Sequence, residues 1–201
     1  MYIPGVRKRD GKMNMEAEKE KTSLIEGEAI CLRLMGEQDT DNIIKWRNQD
    51  FVRRNFIYQK PFTQKGHENW TKTMIDTGKA VQFIICAKPG GEPVGSVYLR
   101  DIDRTHKKAE YGIFIGEEKA LGRGYGTEAA KLMIRYAFGK EGLHKLMLRV
   151  LAGNGQARRS YQKAGFVEEA YLKEEVFLEG AYRDVVLMAV LNRQEEREGL
   201  N

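Results

Sequence analysis

Three glycines, Gly122, Gly124 and Gly126, stand two residues apart in ALGRGYGTEAA, residues 120–130, directly before a helix-forming run. Glycine reaches positive φ and lets a ligand approach the main chain. A helix N-terminus adds unpaired N–H groups and the positive end of a dipole. Together these describe a cradle for a phosphate, although the stretch also reads as a plain glycine-rich loop. A nucleoside-triphosphate loop needs Gly-x4-Gly-Lys and then Ser or Thr. No lysine follows these glycines in that register, which excludes it. The run from Gly124 to Ala129 fits the Gly-x-Gly-x-x-Ala dinucleotide pattern, but its context does not. The segment EEKAL separates it from the preceding strand, and the next strand runs into Gly153 and Asn154 instead of an acidic residue.

Other side chains able to do chemistry lie on both sides of the glycines. Upstream, Trp46, Arg47, Asn48, Phe56, Tyr58, His67 and Trp70 form an aromatic and polar set. Packing in the core is the competing reading for the tryptophans. Arg47, Arg53 and Arg54 are placed to meet an acidic ligand, with a solvated helix end as the alternative for Arg53 and Arg54. Downstream, Asn154 sits between two glycines, as turn asparagines do, and Tyr161 shares a helical face with Ala157 and Ala164, which on spacing alone reads as core. His106 and His144 fall in loops. No Cys/His cluster has metal-ligand spacing, so no metal is expected.

The elements that must position these residues follow from periodicity and punctuation. AICLRLM (29–35) reads as a strand and TDNIIKWRN (40–48) as a helix capped by Asp39 or Thr40. A second helix follows Thr63, carries His67, Trp70 and Met74 on one face, and stops near Gly78. AVQFIICAK (80–88) and EPVGSVYLRDI (92–102) form a hairpin around Pro-Gly-Gly, and AEYGIFIG (109–116) is the next strand. The glycine segment leads into a helix of about 15 residues with Ala129, Met133, Tyr136 and Ala137 inward. A strand at 145–151, a short helix at 156–165 ended by Gly165, and a final hairpin around Glu179 and Gly180 complete the string. The order β-α-α-β-β-β-α-β-α-β-β predicts a mixed α/β domain.

The chain has 201 residues and a formal net charge of +5. That length suits one domain with a core of its own. Residues 1–27 are polar and charged and read as a disordered or loosely attached tail. The domain is expected at 28–193, with a short tail at 194–201. The basic excess is dispersed, without a basic stripe interleaved with aromatics, so it predicts a bias towards acidic ligands and no nucleic-acid partner. No apolar run approaches a membrane span and no apolar leader opens the chain, so no membrane partner is expected. Cys31 and Cys86 lie in apolar strands and are expected reduced, in a cytoplasmic setting.

The segments GRGYGTEAAKLMIRYAF and VLAGNGQARRSYQKAGFVEEA together resemble the GCN5-related N-acetyltransferase (GNAT) superfamily. Gly124, Gly126, Asn154, Tyr161, Lys163, Gly165 and Phe166 match its two motifs in order. Leu121 departs from the family's Gln or Arg, at a position that mainly contributes backbone. The likeness runs from about residue 29 to 191. AICLRLM, the Trp-Arg-Asn at 46–48, AEYGIFI and GAYRDVVLMAVL resemble the branch related to ribosomal-protein N-acetyltransferases. KWRNQDFVRRNF and KPFTQKGHENW also resemble acetyltransferases that act on nucleotide-linked amino sugars.

The resemblance implies a mostly antiparallel central sheet flanked by helices, and acetyl-CoA as donor. Gly122, Arg123, Gly124, Tyr125, Gly126 and Thr127 would hold its pyrophosphate. The backbone of Ile113, Phe114 and Ile115 would line the pantetheine slot and offer one N–H to the thioester carbonyl, and Asn154 would fix the strand end. Tyr161 falls at the family's general acid. Glu110 is the expected base, with His67 as its rival. Trp46, Arg47, Asn48, His67 and Trp70 would bind the acceptor, a small-molecule amine such as a nucleotide-linked amino sugar, or a protein N-terminus. A polyamine suits this basic region less well. A homodimer through the last strand and a non-catalytic acetyl-CoA- or CoA-binding module are further expectations.

Overall fold

The computed structural model describes residues 24–193. In chain order it has β1 (Leu24–Glu26), β2 (Ile30–Leu34), α1 (Thr40–Asn48), α2 (Asp50–Arg53), α3 (Gln64–Trp70), β3 (Val81–Ala87), β4 (Glu92–Asp103) and β5 (Lys108–Ile115). There follow α4 (Tyr125–Gly139), β6 (Lys145–Leu151), α5 (Gly155–Ala164), β7 (Val167–Leu178) and β8 (Ala181–Leu191). The mixed α/β string expected from the sequence is present, with two additions. Val52 anchors the short α2 in the interior. Leu24–Glu26, assigned above to the tail, is instead a strand, so the domain begins before residue 28. Two apolar residues give little periodic signal, but Ile25 pairs with Leu32 across β2 and packs on the core. The remainder of the proposed tails, 1–23 and 194–201, lies outside the described residues.

The strands form one eight-stranded sheet in the order β1-β2-β3-β4-β5-β6-β8-β7. Every pairing is antiparallel except β5 with β6. That parallel pairing covers only Lys108–Glu110 against Lys145–Met147. Beyond it the two strands separate, and the β6-facing edge of β5 from Tyr111 to Ile115 has no strand partner among the described residues.

Alternation along the strands divides the interior in two. On one face Phe83, Ile85, Val97, Leu99, Ala109, Tyr111, Leu146 and Leu148 pack with Ala129, Leu132, Met133 and Ala137 of α4 and with Tyr161 of α5. On the other, Ile84, Cys86 and Phe114 pack with Ile43, Trp46 and Val52 of the first helices. Each fully buried Leu, Ile or Phe contributes about 1.5–3 kcal/mol, and both faces hold several.

Local chemistry sets the helix ends. Thr63 accepts a hydrogen bond from the Gly66 N–H at 3.1 Å and starts α3. The helix runs on through a π-helical turn at Thr71–Ile75, and Gly78 follows with φ +68°. Asn154 caps α5 by accepting from the Ala157 N–H at 3.1 Å, and Gly165 ends that helix with φ +111°. Asp39, expected as the cap of α1, makes no capping bond there. Its carboxylate accepts from the Gly36 N–H and takes both arms of Arg33 at 2.8 and 2.9 Å.

Candidate active site

A cavity of about 610 Å³ passes between the two faces where β5 and β6 separate. Its lining takes Tyr111, Leu148, Val150 and Tyr161 from the α4–α5 side and Tyr98, Arg100, Glu110 and Arg149 from the other. The size suits a small-molecule site. One end is the glycine segment, the other the hollow beneath α1, α2 and α3.

At the glycine end, Gly122 and Gly124 have φ +73° and +82°. A Cβ at either would meet nothing within 4 Å, so conformation and not crowding requires glycine there. Gly124 occupies the cap position of α4 and makes no side-chain capping bond. The first N–H groups of the helix are thus free of a capping side chain, in the geometry that binds anions. The Thr127 and Ser160 hydroxyls bond at 2.8 Å and tie α4 to α5. Gly122, Gly124, Tyr125, Gly126 and Thr127 all line the cavity, as do Ile113, Phe114 and Ile115. Arg123 is exposed and does not.

Tyr161 stands where the halves meet. Its ring packs edge-on against Tyr111 and Phe166, with centroids 6.0 Å away in both cases. Burial raises its phenol well above the ordinary tyrosine range, and Tyr98 adds to the shift. Burial also raises Tyr111, whose hydroxyl has no hydrogen-bond partner among the described residues. Asn154 lines the cavity too, but its oxygen caps α5 and its Nδ2 donates to Asn55 Oδ1 at 3.0 Å.

The other half is polar and aromatic. Trp70 Nε1 donates to Gln82 Oε1 at 2.8 Å, and Gln82 Nε2 donates to Ser96 Oγ at 2.9 Å. The Trp70 ring meets Tyr98 edge-on at 5.8 Å. Tyr98 lies across Gly112, where an added Cβ would fall 2.3 Å from its ring. Glu110 is gripped by two arginines: Arg100 Nη2 donates to Oε1 at 2.6 Å, and Arg149 Nε lies 3.6 Å from the same oxygen. His67 is buried, which lowers its pKa from 6.5, and its Nδ1 has no hydrogen-bond partner among the described residues. The Arg47 guanidinium stacks 3.6 Å from the centre of the Phe56 ring.

The sequence reading is corrected at two acceptor residues. Trp46 is 1 % exposed, donates to Glu117 Oε1 at 2.7 Å, and packs where a Cβ on Gly116 would strike its ring. Asn48 accepts from the Phe62 N–H and donates to the carbonyls of Phe62 and Ile44. Neither lines the cavity; both hold α1 in place. Arg47, His67 and Trp70 do line it.

Tyr98, Arg100, Arg149 and Gln82 were not picked out from the sequence. In β4 the signal was alternation, with Tyr98 and Arg100 between Val97 and Leu99, whereas Gln82 and Arg149 are isolated polar residues in largely apolar strands. Such alternation looks like an ordinary solvent face until helices cover it.

Known proteins are similar to this chain in sequence and in fold. Residues 29–167 match the family model described as an acetyltransferase (GNAT) domain. Spermidine N(1)-acetyltransferase of Escherichia coli (strain K12) is 39% identical over 104 residues, 52% of this chain and 55% of that protein. The matched segment therefore spans about half the length of that relative. The [ribosomal protein uS5]-alanine N-acetyltransferase of the same organism is 26% identical over 174 residues, 80% of this chain and 87% of that protein. Among solved structures, spermidine N-acetyltransferase from Vibrio cholerae in complex with CoA and spermine superposes with a TM-score of 0.75 at 27% identity, covering 86% of this chain and 99% of that one. That enzyme has also been described as a dodecamer. With two motifs seated at the parting of β5 and β6, and a family model that spans most of the domain, the chain belongs to the GNAT acetyltransferase family.

Proposed function

We propose that the chain transfers an acetyl group from acetyl-CoA to a primary amine. One observation carries this reading: a single cavity joins the uncapped glycine cradle to a polar pocket, with Tyr161 at the joint. The cradle fits a pyrophosphate, since Gly122, Gly124, Tyr125, Gly126 and Thr127 line the cavity at the start of α4 and no side chain caps the helix. Acetyl-CoA supplies the activated thioester. Free backbone groups on the edge of β5 at Ile113–Ile115 hold its arm and polarise the thioester carbonyl. Tyr161, kept protonated by burial, donates to the departing sulfur. Glu110 takes the proton of the attacking amine through water, and its two arginines fix its position. Asn154 positions the end of β6 by capping α5.

The acceptor reading from the sequence is a nucleotide-linked amino sugar or a protein N-terminus. The likeness to spermidine acetyltransferases favours a polyamine as a second reading. The edge of the sheet supports self-association: β7 is its last strand, and Val167, Tyr171 and Phe177 on it are exposed, with Tyr182 opposite. The free thiols of Cys31 and Cys86, register partners across β2 and β3, support a reducing, cytoplasmic setting.

The deciding experiment measures melting temperature with acetyl-CoA, CoA and NADH, then thiol release with spermidine, amino sugars and peptides. At about 100 times its dissociation constant a ligand adds roughly 2.7 kcal/mol of stability. Acetyl-CoA is expected to stabilise and NADH not. Stabilisation by NADH alone overturns the donor. Tight acetyl-CoA binding without turnover of any amine leaves a binding module instead of an enzyme.

A further inference from the structure

We propose that Arg47 anchors an anion subsite in the acceptor half, so that the amine acetylated also carries a phosphate or carboxylate. This rests on the N-acetyltransferase reading above. Four arginines line this half of the cavity, Arg47, Arg54, Arg100 and Arg149, against one acid, Glu110. Glu110 is shared by Arg100 and Arg149. Arg53, beside Arg54, is paired with Asp50 outside the cavity. Among the described residues no carboxylate lies within ion-pairing distance of Arg47 or Arg54.

Arg47 is also held still. Its guanidinium lies 3.6 Å from the Phe56 ring centre and 5.2 Å from that of Phe62. Stacking of this kind orients the planar fork without neutralising it. Its Nε is buried with no hydrogen-bond acceptor among the described residues, and burial destabilises the charge. A buried cation with donors to spare is costly unless an anion completes it. His67, edge-on to Phe62 at 6.0 Å, brings a second unpartnered buried nitrogen to the same pocket. A fixed, unpaired fork in a cavity rich in arginine matches the geometry of a phosphate or carboxylate. The same field repels a polycation.

The test compares matched pairs: glucosamine 6-phosphate with glucosamine, and 6-aminohexanoate with hexylamine, alongside spermidine. Equilibrium binding by calorimetry and kcat/KM are measured for the wild type, R47M and R47K, with acetyl-CoA-induced stabilisation as the check on folding. The wild type is expected to prefer one anionic member by at least about tenfold. R47M should abolish that preference mainly through binding and KM, and R47K should restore part of it. Whichever pair shows the preference distinguishes phosphate from carboxylate. Equal binding of charged and uncharged members, a preference for spermidine, or an unchanged preference in R47M overturns the proposal while the acetyltransferase reading stands. Absence of acetyl-CoA stabilisation in the wild type defeats both.

Discussion

Tyr161 and His67 show burial acting on opposite kinds of group. Burial disfavours whichever form carries charge, so Tyr161 is held as the neutral phenol and His67 as the neutral imidazole. For the proposed reaction, Tyr161→Phe should lower kcat by about 10²–10⁴-fold and leave acetyl-CoA affinity unchanged, read by thiol release and calorimetry. Equal kcat in the variant would remove Tyr161 from the chemistry. The wild-type rate should show no loss from Tyr161 ionisation up to about pH 10. His67 gives a stability signature. Its folded pKa lies below 6.5, so the unfolded chain takes up a proton before the folded one does. Its contribution is therefore whole above about pH 6.5 and lost as pH falls below. Thermal unfolding between pH 7 and 5 should show this loss, and His67→Gln should flatten it. The sequence named both residues, but only the fold could show that they flank one cavity. Both side chains also take part in packing, since each meets an aromatic neighbour edge-on.

The start of α4 was legible because its glycines mark a backbone demand that few other residues meet. Gly124 and Gly126 carry different demands, and substitution separates them. Gly124→Ala forces a side chain into the left-handed region and should cost about 1–2 kcal/mol of stability together with acetyl-CoA affinity. Gly126 has no positive φ, and an added Cβ would sit at ordinary contact, 3.7 Å from Ser160 Oγ. Gly126→Ala should leave the melting temperature nearly unchanged, so any loss of acetyl-CoA affinity reports a ligand close to that atom. The first two helices were read less well. Their aromatic residues did not show which of them line the cavity, as Phe56 and Trp70 do, and which turn away from it, as Trp46 does. Trp46 turned to the core because Gly116 leaves room for its ring, a complementarity between segments far apart in sequence. Such pairings carry no local signal, and β1 was missed for the same reason: its order comes from β2.

The whole molecule is one sheet with a fork in it, and the fork joins two chemically different pockets. The strand order was legible only as alternating elements; the short reach of the β5–β6 pairing was not, because nothing in either strand's composition ends it. Hydrogen exchange provides the check at this scale. Acetyl-CoA should slow exchange of amides on the β6-facing edge of Tyr111–Ile115 and leave β2 and β3 unaffected. No change at that edge would displace the proposed slot. The fork also bears on how the chain reaches its native state. Pairing from β1 to β5 joins strands in chain order, whereas the β5–β6 contact must wait for α4 to close back on the sheet. Contacts that close short loops form sooner than those that close long ones. The partners Lys108 and Lys145 are 37 residues apart, while those of β2 and β3 are 49–57 apart and those of β6 and β8 34–46 apart. The narrow joint is thus one of three long-range pairings, and the cleft exists only once it is made. Recovery of acetyl transfer during refolding should then require that joint, and chains that have paired their other strands without it hold the strands of the enzyme without its chemistry.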